Sequence, residues 1–137
     1  MIKSRLSILV NIAMSDGEMP RSEVNLIKEL GAKEGLSERK IEDIINNPMQ
    51  LEEMDFWNDI NNNERFEFMY NIYLLMKADG KLVKEEINYC LQVAKLLGYR
   101  ESVLFEFITA VQSDDSVSFS KPEVKEKVQK YLKKNPK

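Results

Sequence analysis

The sequence predicts an all-α protein, a helical bundle of about seven to eight helices built from two pseudo-repeats, near 8–38 and 71–101, with a basic helix added at the C-terminal side. Three observations predict it. Apolar residues recur at three- and four-residue spacing, as in Val24, Ile27 and Leu30 or Ile87, Cys90, Leu91, Ala94 and Leu97, the period of a helix face. Period-two alternation is confined to the short stretch 116–120, so no strand of normal length is predicted. Finally, a shift of 63 positions aligns 8–38 with 71–101 without a gap. That shift places Asp16-Gly17 on Asp79-Gly80, Glu23 on Glu86, Asn25 on Asn88, Gly35 on Gly98 and Glu38 on Glu101. Apolar positions follow, among them Leu9 with Ile72, Ile12 with Leu75, Met19 with Leu82, Ile27 with Cys90 and Leu30 with Val93.

Each element follows from local chemistry. Gly17 and Gly80 stand after the first helix of each copy and Gly35 and Gly98 after the second, where a left-handed cap is expected. All are expected to be amphipathic helices. Ser37 caps a third helix over 38–46, which Asn47-Pro48 stops. Residues 49–60, with Met54, Phe56 and Trp57, read as a short helix or turn that packs aromatics between the copies. The run Asn61, Asn62, Asn63 supplies an N-cap for a long helix to about residue 78. A helix over 101–111 carries Val103, Leu104, Phe107 and Ile108. Ser120-Lys-Pro-Glu123 forms a capping box with proline in the first turn and opens a helix over about 121–134, whose apolar residues Val124, Val128, Tyr131 and Leu132 make a narrow stripe. With 137 residues, 43% of them apolar, the chain reads as one domain, 1–137, with a repeat core over about 6–112.

Composition removes whole classes of function. The chain has no histidine, which excludes Ser-His, Cys-His and His-ligated zinc chemistry. Its single cysteine, Cys90, cannot form an internal disulfide and reads as a reduced core residue, with the cytoplasm as the expected compartment. The N-terminal apolar run is broken by Asn11 and lacks a small-x-small cleavage site, so it is read as a helix and not as a signal peptide. No uninterrupted apolar run reaches the roughly 18 residues of a membrane span. The net charge of −3 is unevenly spread, since 121–137 carries seven lysines against Glu123 and Glu126, leaving an acidic body that argues against nucleic-acid binding. The adjacent carboxylates Glu42-Asp43, Glu52-Glu53 and Glu85-Glu86 diverge by about 100° on a helix and are expected on solvated faces. The aromatics Phe56, Trp57, Phe66, Phe68, Tyr70 and Tyr73 are expected in the core, and no glycine-rich phosphate loop is present.

The sharpest motif is Asp-Gly-x5-Glu, present at Asp16 to Glu23 and again at Asp79 to Glu86. Its spacing equals the second half of a calcium EF-hand loop, with Met19 and Leu82 at the apolar eighth position. The first half fails in both copies, because Ile12 and Met14, or Leu75 and Lys77, stand where carboxylates are needed. An ordinary EF-hand is excluded. Two such loops packed together would still offer several carboxylates and turn carbonyls to a divalent cation, Ca²⁺ or Mg²⁺. The first loop, with Asp16, Glu18 and Glu23 against Arg21, is the better candidate, since Lys77, Lys81 and Lys84 oppose a cation at Asp79 and Glu86. The plain alternative is that each Asp-Gly makes a turn and each Glu complements a helix dipole, an effect of about 0.3–1 kcal/mol.

The pattern of an apolar helix ending in Ala-Asp-Gly, five residues, then Glu opening a second helix resembles the TerB-like family of bacterial tellurite-resistance and stress proteins, related to the N-terminal region of certain DnaJ-like co-chaperones. Lys77-Ala-Asp-Gly-Lys-Leu-Val-Lys-Glu-Glu86 carries it best, and Met14-Ser-Asp-Gly-Glu-Met-Pro-Arg-Ser-Glu23 repeats it with Ser15 in place of alanine. The resemblance covers about 6–112. It implies a helical bundle without enzymatic activity, and acidic residues that hold a divalent cation, by position Asp16, Glu23, Asp79 and Glu86. The function it implies is a stress-related binding or scaffolding module with a protein partner. Two other readings stay open: a cation-responsive regulator, and a peripheral membrane or partner-binding module acting through the basic helix. That helix could also lie on its own acidic body, or exchange between protomers to give a dimer.

Overall fold

The structure is a computed structural model that describes residues 2–15, 17, 19–79, 84–106 and 120–132, with Asp79 described by its backbone alone. Among these, seven helical elements run in order: α1 (Ile2–Ala13), α2 (Arg21–Lys33), α3 (Glu38–Asn46), a 3-10 turn (Leu51–Glu53), α4 (Asn62–Asp79), α5 (Lys84–Leu96) and a C-terminal helix (Lys121–Gln129). Residues 103–106 are helical as well. The fold is all-α, and its only extended pairing among the described residues is an isolated antiparallel bridge between Tyr99 and Leu132. No helix among them is long and apolar enough to cross a membrane.

The helices do not share one design. α1 and α4 are buried on most sides, through Leu6, Ile8, Leu9, Val10 and Ile12 and through Phe66, Phe68, Met69, Ile72, Tyr73, Leu75 and Met76. This corrects the expectation that every helix is amphipathic: a helix with apolar residues all round has to be enclosed. The enclosure comes from α2, α3, α4 and α5 around α1, and from α1, α2 and the C-terminal helix around α4. α2, α3 and α5 remain amphipathic. α2 and α5 occupy aligned residues, and from the pair Glu23 and Glu86 to the pair Lys33 and Leu96 every aligned position has the same degree of burial except Leu30 and Val93.

Helix ends follow the local chemistry. Ser37 accepts the Lys40 amide at 3.3 Å, Asn61 and Glu64 exchange reciprocal side chain to backbone bonds at 2.8 and 3.2 Å, and Ser120 and Glu123 close the expected capping box. Gly35 and Gly98 sit at φ +87° and +90°, and the amides of Leu36 and Tyr99 close back on Gly31 and Ala94, so both second helices end in the same left-handed cap. Residues 49–60 hold the 3-10 turn and a second turn closed by the Asp59 amide on the Phe56 carbonyl, where Phe56 stacks on Phe68 at 5.6 Å and Trp57 meets it tilted at 6.1 Å. The C-terminal helix stops at Gln129 and not near 134. Its continuation is diverted because the Tyr131 carbonyl accepts the Arg100 amide at 2.7 Å. The predicted cap at Gly80, the rest of the 101–111 helix and the alternating stretch before Ser120 lie outside the described residues.

Polar side chains on α1 have a task that the apolar pattern conceals. Ser7 accepts the Met49 amide at 3.0 Å, Asn11 donates to the Met49 carbonyl at 2.8 Å and to the Tyr89 hydroxyl at 3.0 Å. One stripe of α1 thus satisfies the backbone of the half-buried Met49 and ties α1 to α5. Tyr89 is correspondingly pushed up to about 12, by burial first, against the lowering effect of Asn11.

Gly31 is the one glycine within a described helix. A Cβ there would lie 2.8 Å from two Ile41 side-chain carbons and 3.2 Å from Leu6, so its absence lets α1, α2 and α3 meet. Gly31→Ala sets a helix-propensity gain of about 1 kcal/mol against an overpacking cost of about 1–3 kcal/mol. The expected outcome is a net loss and a thermal midpoint lower by several degrees, whereas Ala32→Gly, at an exposed site, loses only its propensity.

Candidate functional site

Glu23 and Glu86 occupy the third position of α2 and α5, one first turn in each copy. Both are buried, with 1% and 5% of their surface exposed. The expectation that Glu85-Glu86 lies on a solvated face is therefore wrong for Glu86. The 100° divergence holds, but it sends Glu85 out and Glu86 in.

A helix-end role does not account for this burial. Glu53, Glu64 and Glu123 also stand at third positions, and each accepts the amide of its own N-cap residue while keeping contact with solvent. Glu23 cannot do the same, because its N-cap is Pro20, which has no N–H. The helix dipole favours a first-turn carboxylate by about 0.3–1 kcal/mol, while withdrawing its charge from water costs several kcal/mol. The cost of leaving water has to be met by hydrogen bonds, by positive charge, or by both.

Around these glutamates the first loop is partly defined. Ser15 donates its hydroxyl to the Ile12 carbonyl at 2.7 Å and closes α1, Gly17 takes φ +89°, and Met19 packs half-buried on the core. Asp16, Glu18, the Asp79 side chain and residues 80–83 lie outside the described residues, so of the predicted set Glu23 and Glu86 alone are placed. Carboxylate oxygens suit a hard cation such as Mg²⁺ or Ca²⁺. Among the described residues no three acidic, cysteine or histidine side chains come together, so these residues match the donor type of such a site without completing one. Cys90 lies one turn beyond Glu86. Burial, with the negative charge of Glu86 adding to it, pushes its thiol far above the ordinary range, so it stays protonated and unreactive.

The basic C-terminal helix lies on its own body. Val124 and Val128 are buried, Lys121 pairs with Glu67 at 2.6 Å and sits over the Tyr70 ring, and Lys125 donates to Asn63 at 3.1 Å over the Phe66 ring. Lys130 and the Tyr131 hydroxyl both reach Glu106, at 3.1 and 2.9 Å. The apolar stripe that a bilayer surface would have to receive is covered here by α4.

A family model described as tellurite resistance protein TerB matches residues 4–110, taking in α1 to α5 and both acidic loops. The chain belongs to the TerB family. No curated protein and no solved structure matches it. The TerB match ends before the C-terminal helix.

Sequence reasoning missed a second feature of this TerB domain. Arg5, nine-tenths buried by side chain, pairs with Glu34 at 2.7 Å and Glu67 at 3.6 Å, and Glu67 takes Lys121 as well, so one charge relay joins α1, α2, α4 and the C-terminal helix. It borders a cavity of about 420 Å³ floored by Leu26, Leu30, Tyr70 and Leu74. The available signal was a lone arginine inside the apolar run of α1.

The TerB chain's C-terminal anchor has a defined pH response. Hydrogen bonds from Lys130 and then Tyr131 hold Glu106 below the usual carboxylate range. A depressed carboxylate stabilises the fold above its unfolded pKa and loses that contribution as pH falls through the folded value. The protection of the amides at residues 130–132, corrected for the intrinsic pH dependence of exchange, is therefore expected to fall as the pH drops below about 4, with Glu106→Gln poorly protected at neutrality as well.

Proposed function

We propose that the protein is a non-enzymatic binding module of the TerB kind, acting in the cytoplasm in a tellurite-related or general stress response, and that its two acidic loops make it responsive to a divalent cation. The observation that carries the cation reading is the burial of Glu23 and Glu86 at matching first turns, in positions where capping chemistry is unavailable to Glu23. A cation at the loops would be held by Glu23 and Glu86, with Asp16, Glu18 and Asp79 from the loop sequences, whose carboxylate oxygens suit a hard ion. Its effect would be to hold the first turns of α2 and α5 in place, and so to set the faces that a protein partner meets. A non-enzymatic role is supported by the lack of histidine in the chain and by the protonated state of its single thiol.

The test is thermal unfolding after chelator treatment, with and without Ca²⁺, Mg²⁺, Mn²⁺ or Zn²⁺. A cation at 100 times its dissociation constant adds roughly 2.7 kcal/mol, a midpoint rise on the order of 10 °C for a domain of this size. Glu23→Gln with Glu86→Gln keeps the shape and removes the charge. The expected outcome is a rise for one hard cation that this double variant loses. Superimposable melts in every cation would return both glutamates to a structural role.

A further inference from the structure

Asn71 is a polar side chain for which the fold has no use. It sits midway along α4 with 7% of its surface exposed, and among the described residues nothing donates to or accepts from its amide. Asparagine is a weak helix former, and a buried amide without a partner is unfavourable. The shift that aligns the two copies places it on Ile8, an apolar side chain in the core, so the same position accepts an apolar residue. Asn11, the asparagine within α1, differs, because its amide donates to Met49 and Tyr89. What Asn71 does meet is the cavity of about 420 Å³ between α1, α2 and α4, where it stands among Leu26, Leu30, Tyr70 and Leu74. That volume is in the range of small-molecule pockets.

We propose that this cavity binds a small neutral molecule with an apolar body and a carboxamide-type group, and that Asn71 recognises that group. The Asn71 amide offers an acceptor oxygen beside a donor NH₂, so its complement also needs a donor and an acceptor side by side, as a primary carboxamide, a lactam or a urea has. A carboxylate brings acceptors only and an ammonium donors only, and each leaves half of the Asn71 amide unpaired. Charge selects in the same direction. The basic and acidic side chains around the cavity balance, since Arg5 pairs with Glu34 and Glu67, Glu67 also takes Lys121, and Glu29 and Lys33 stand one turn apart on the exposed side of α2. No net field therefore draws in a charged ligand. The apolar neighbours of Asn71 receive the body, whose burial supplies affinity while the amide supplies selectivity. The site shares no residue with the acidic loops, and its ligand is independent of the cation.

The test is an NMR titration of the ¹⁵N-labelled full-length chain, in chelator so that a cation response cannot influence it, with three probes that share one apolar body: hydrocinnamamide, hydrocinnamate and phenylpropylammonium. Wild type is expected to show saturable shifts at the Asn71 side-chain NH₂ and in the cavity-lining parts of α2 and α4, with the amide bound at least about fivefold more tightly than either charged probe, the scale of one net hydrogen bond. Asn71→Leu is expected to bind all three within about twofold of one another and, without ligand, to melt above wild type, because an apolar group replaces an unpaired amide. The absence of a saturable shift with hydrocinnamamide overturns the proposal. So does equal binding of the three probes by wild type, which would make the cavity an apolar crevice with water on Asn71, and so does an amide preference that survives in Asn71→Leu. Should Asn71→Leu be less stable than wild type, Asn71→Ala, which adds no volume, replaces it under the same criteria, and a lower midpoint there too would give the amide a structural task and end the claim.

Discussion

Enclosing two helices that are apolar on nearly every side is the constraint from which the rest of this structure follows. α1 and α4 bury apolar side chains on several sides, so α2, α3, α5 and the C-terminal helix are positioned as their covers. Gly31 brings α2 and α3 close to α1, and the serines and asparagine of α1 turn a covering loop from a source of unpaired backbone groups into a set of hydrogen bonds. α2 and α5 cover the core from their first turns onward. That draws their third residues inward, and in both cases the third residue is a glutamate.

Glu23 and Glu86 therefore stand apart from the chain's other first-turn acids. Glu53, Glu64 and Glu123 cap a helix at little cost because they stay hydrated. The buried pair carries a desolvation penalty that the dipole of a helix is too weak to offset. The Asp-Gly loops place further carboxylates close in sequence to each of them. The basic helix is seated on α4 by its two buried valines, with lysines on Glu67 and Asn63 around them and Tyr131 held to Arg100 and Glu106.

Much of this was legible in the sequence because capping and glycine chemistry are local. Ser37, Asn61, Ser120, Gly35 and Gly98 each marked a helix boundary within a residue or so. What stayed hidden depended on neighbours far along the chain. The encirclement of α1 was masked by Ser4, Ser7 and Asn11, whose partners lie about 40 or more positions away. The C-terminal helix was extended too far because Tyr131 and Leu132 leave the helix to pair with Arg100 and Tyr99, residues far back in the chain. The acidic loops were found by spacing, but spacing could not say that the glutamates turn inward.

A cation held between the acidic loops would be felt first at the carboxyl groups of Glu23 and Glu86. The direct measurement is a titration of the chelated protein with Mg²⁺ or Ca²⁺, following the side-chain carboxyl carbons of ¹³C-labelled glutamate by NMR. The resonances of Glu23 and Glu86 are expected to move and saturate together while those of Glu53, Glu64 and Glu123 stay in place. Movement of the exposed three alone, or no movement at Glu23 and Glu86 at any cation concentration, would contradict it.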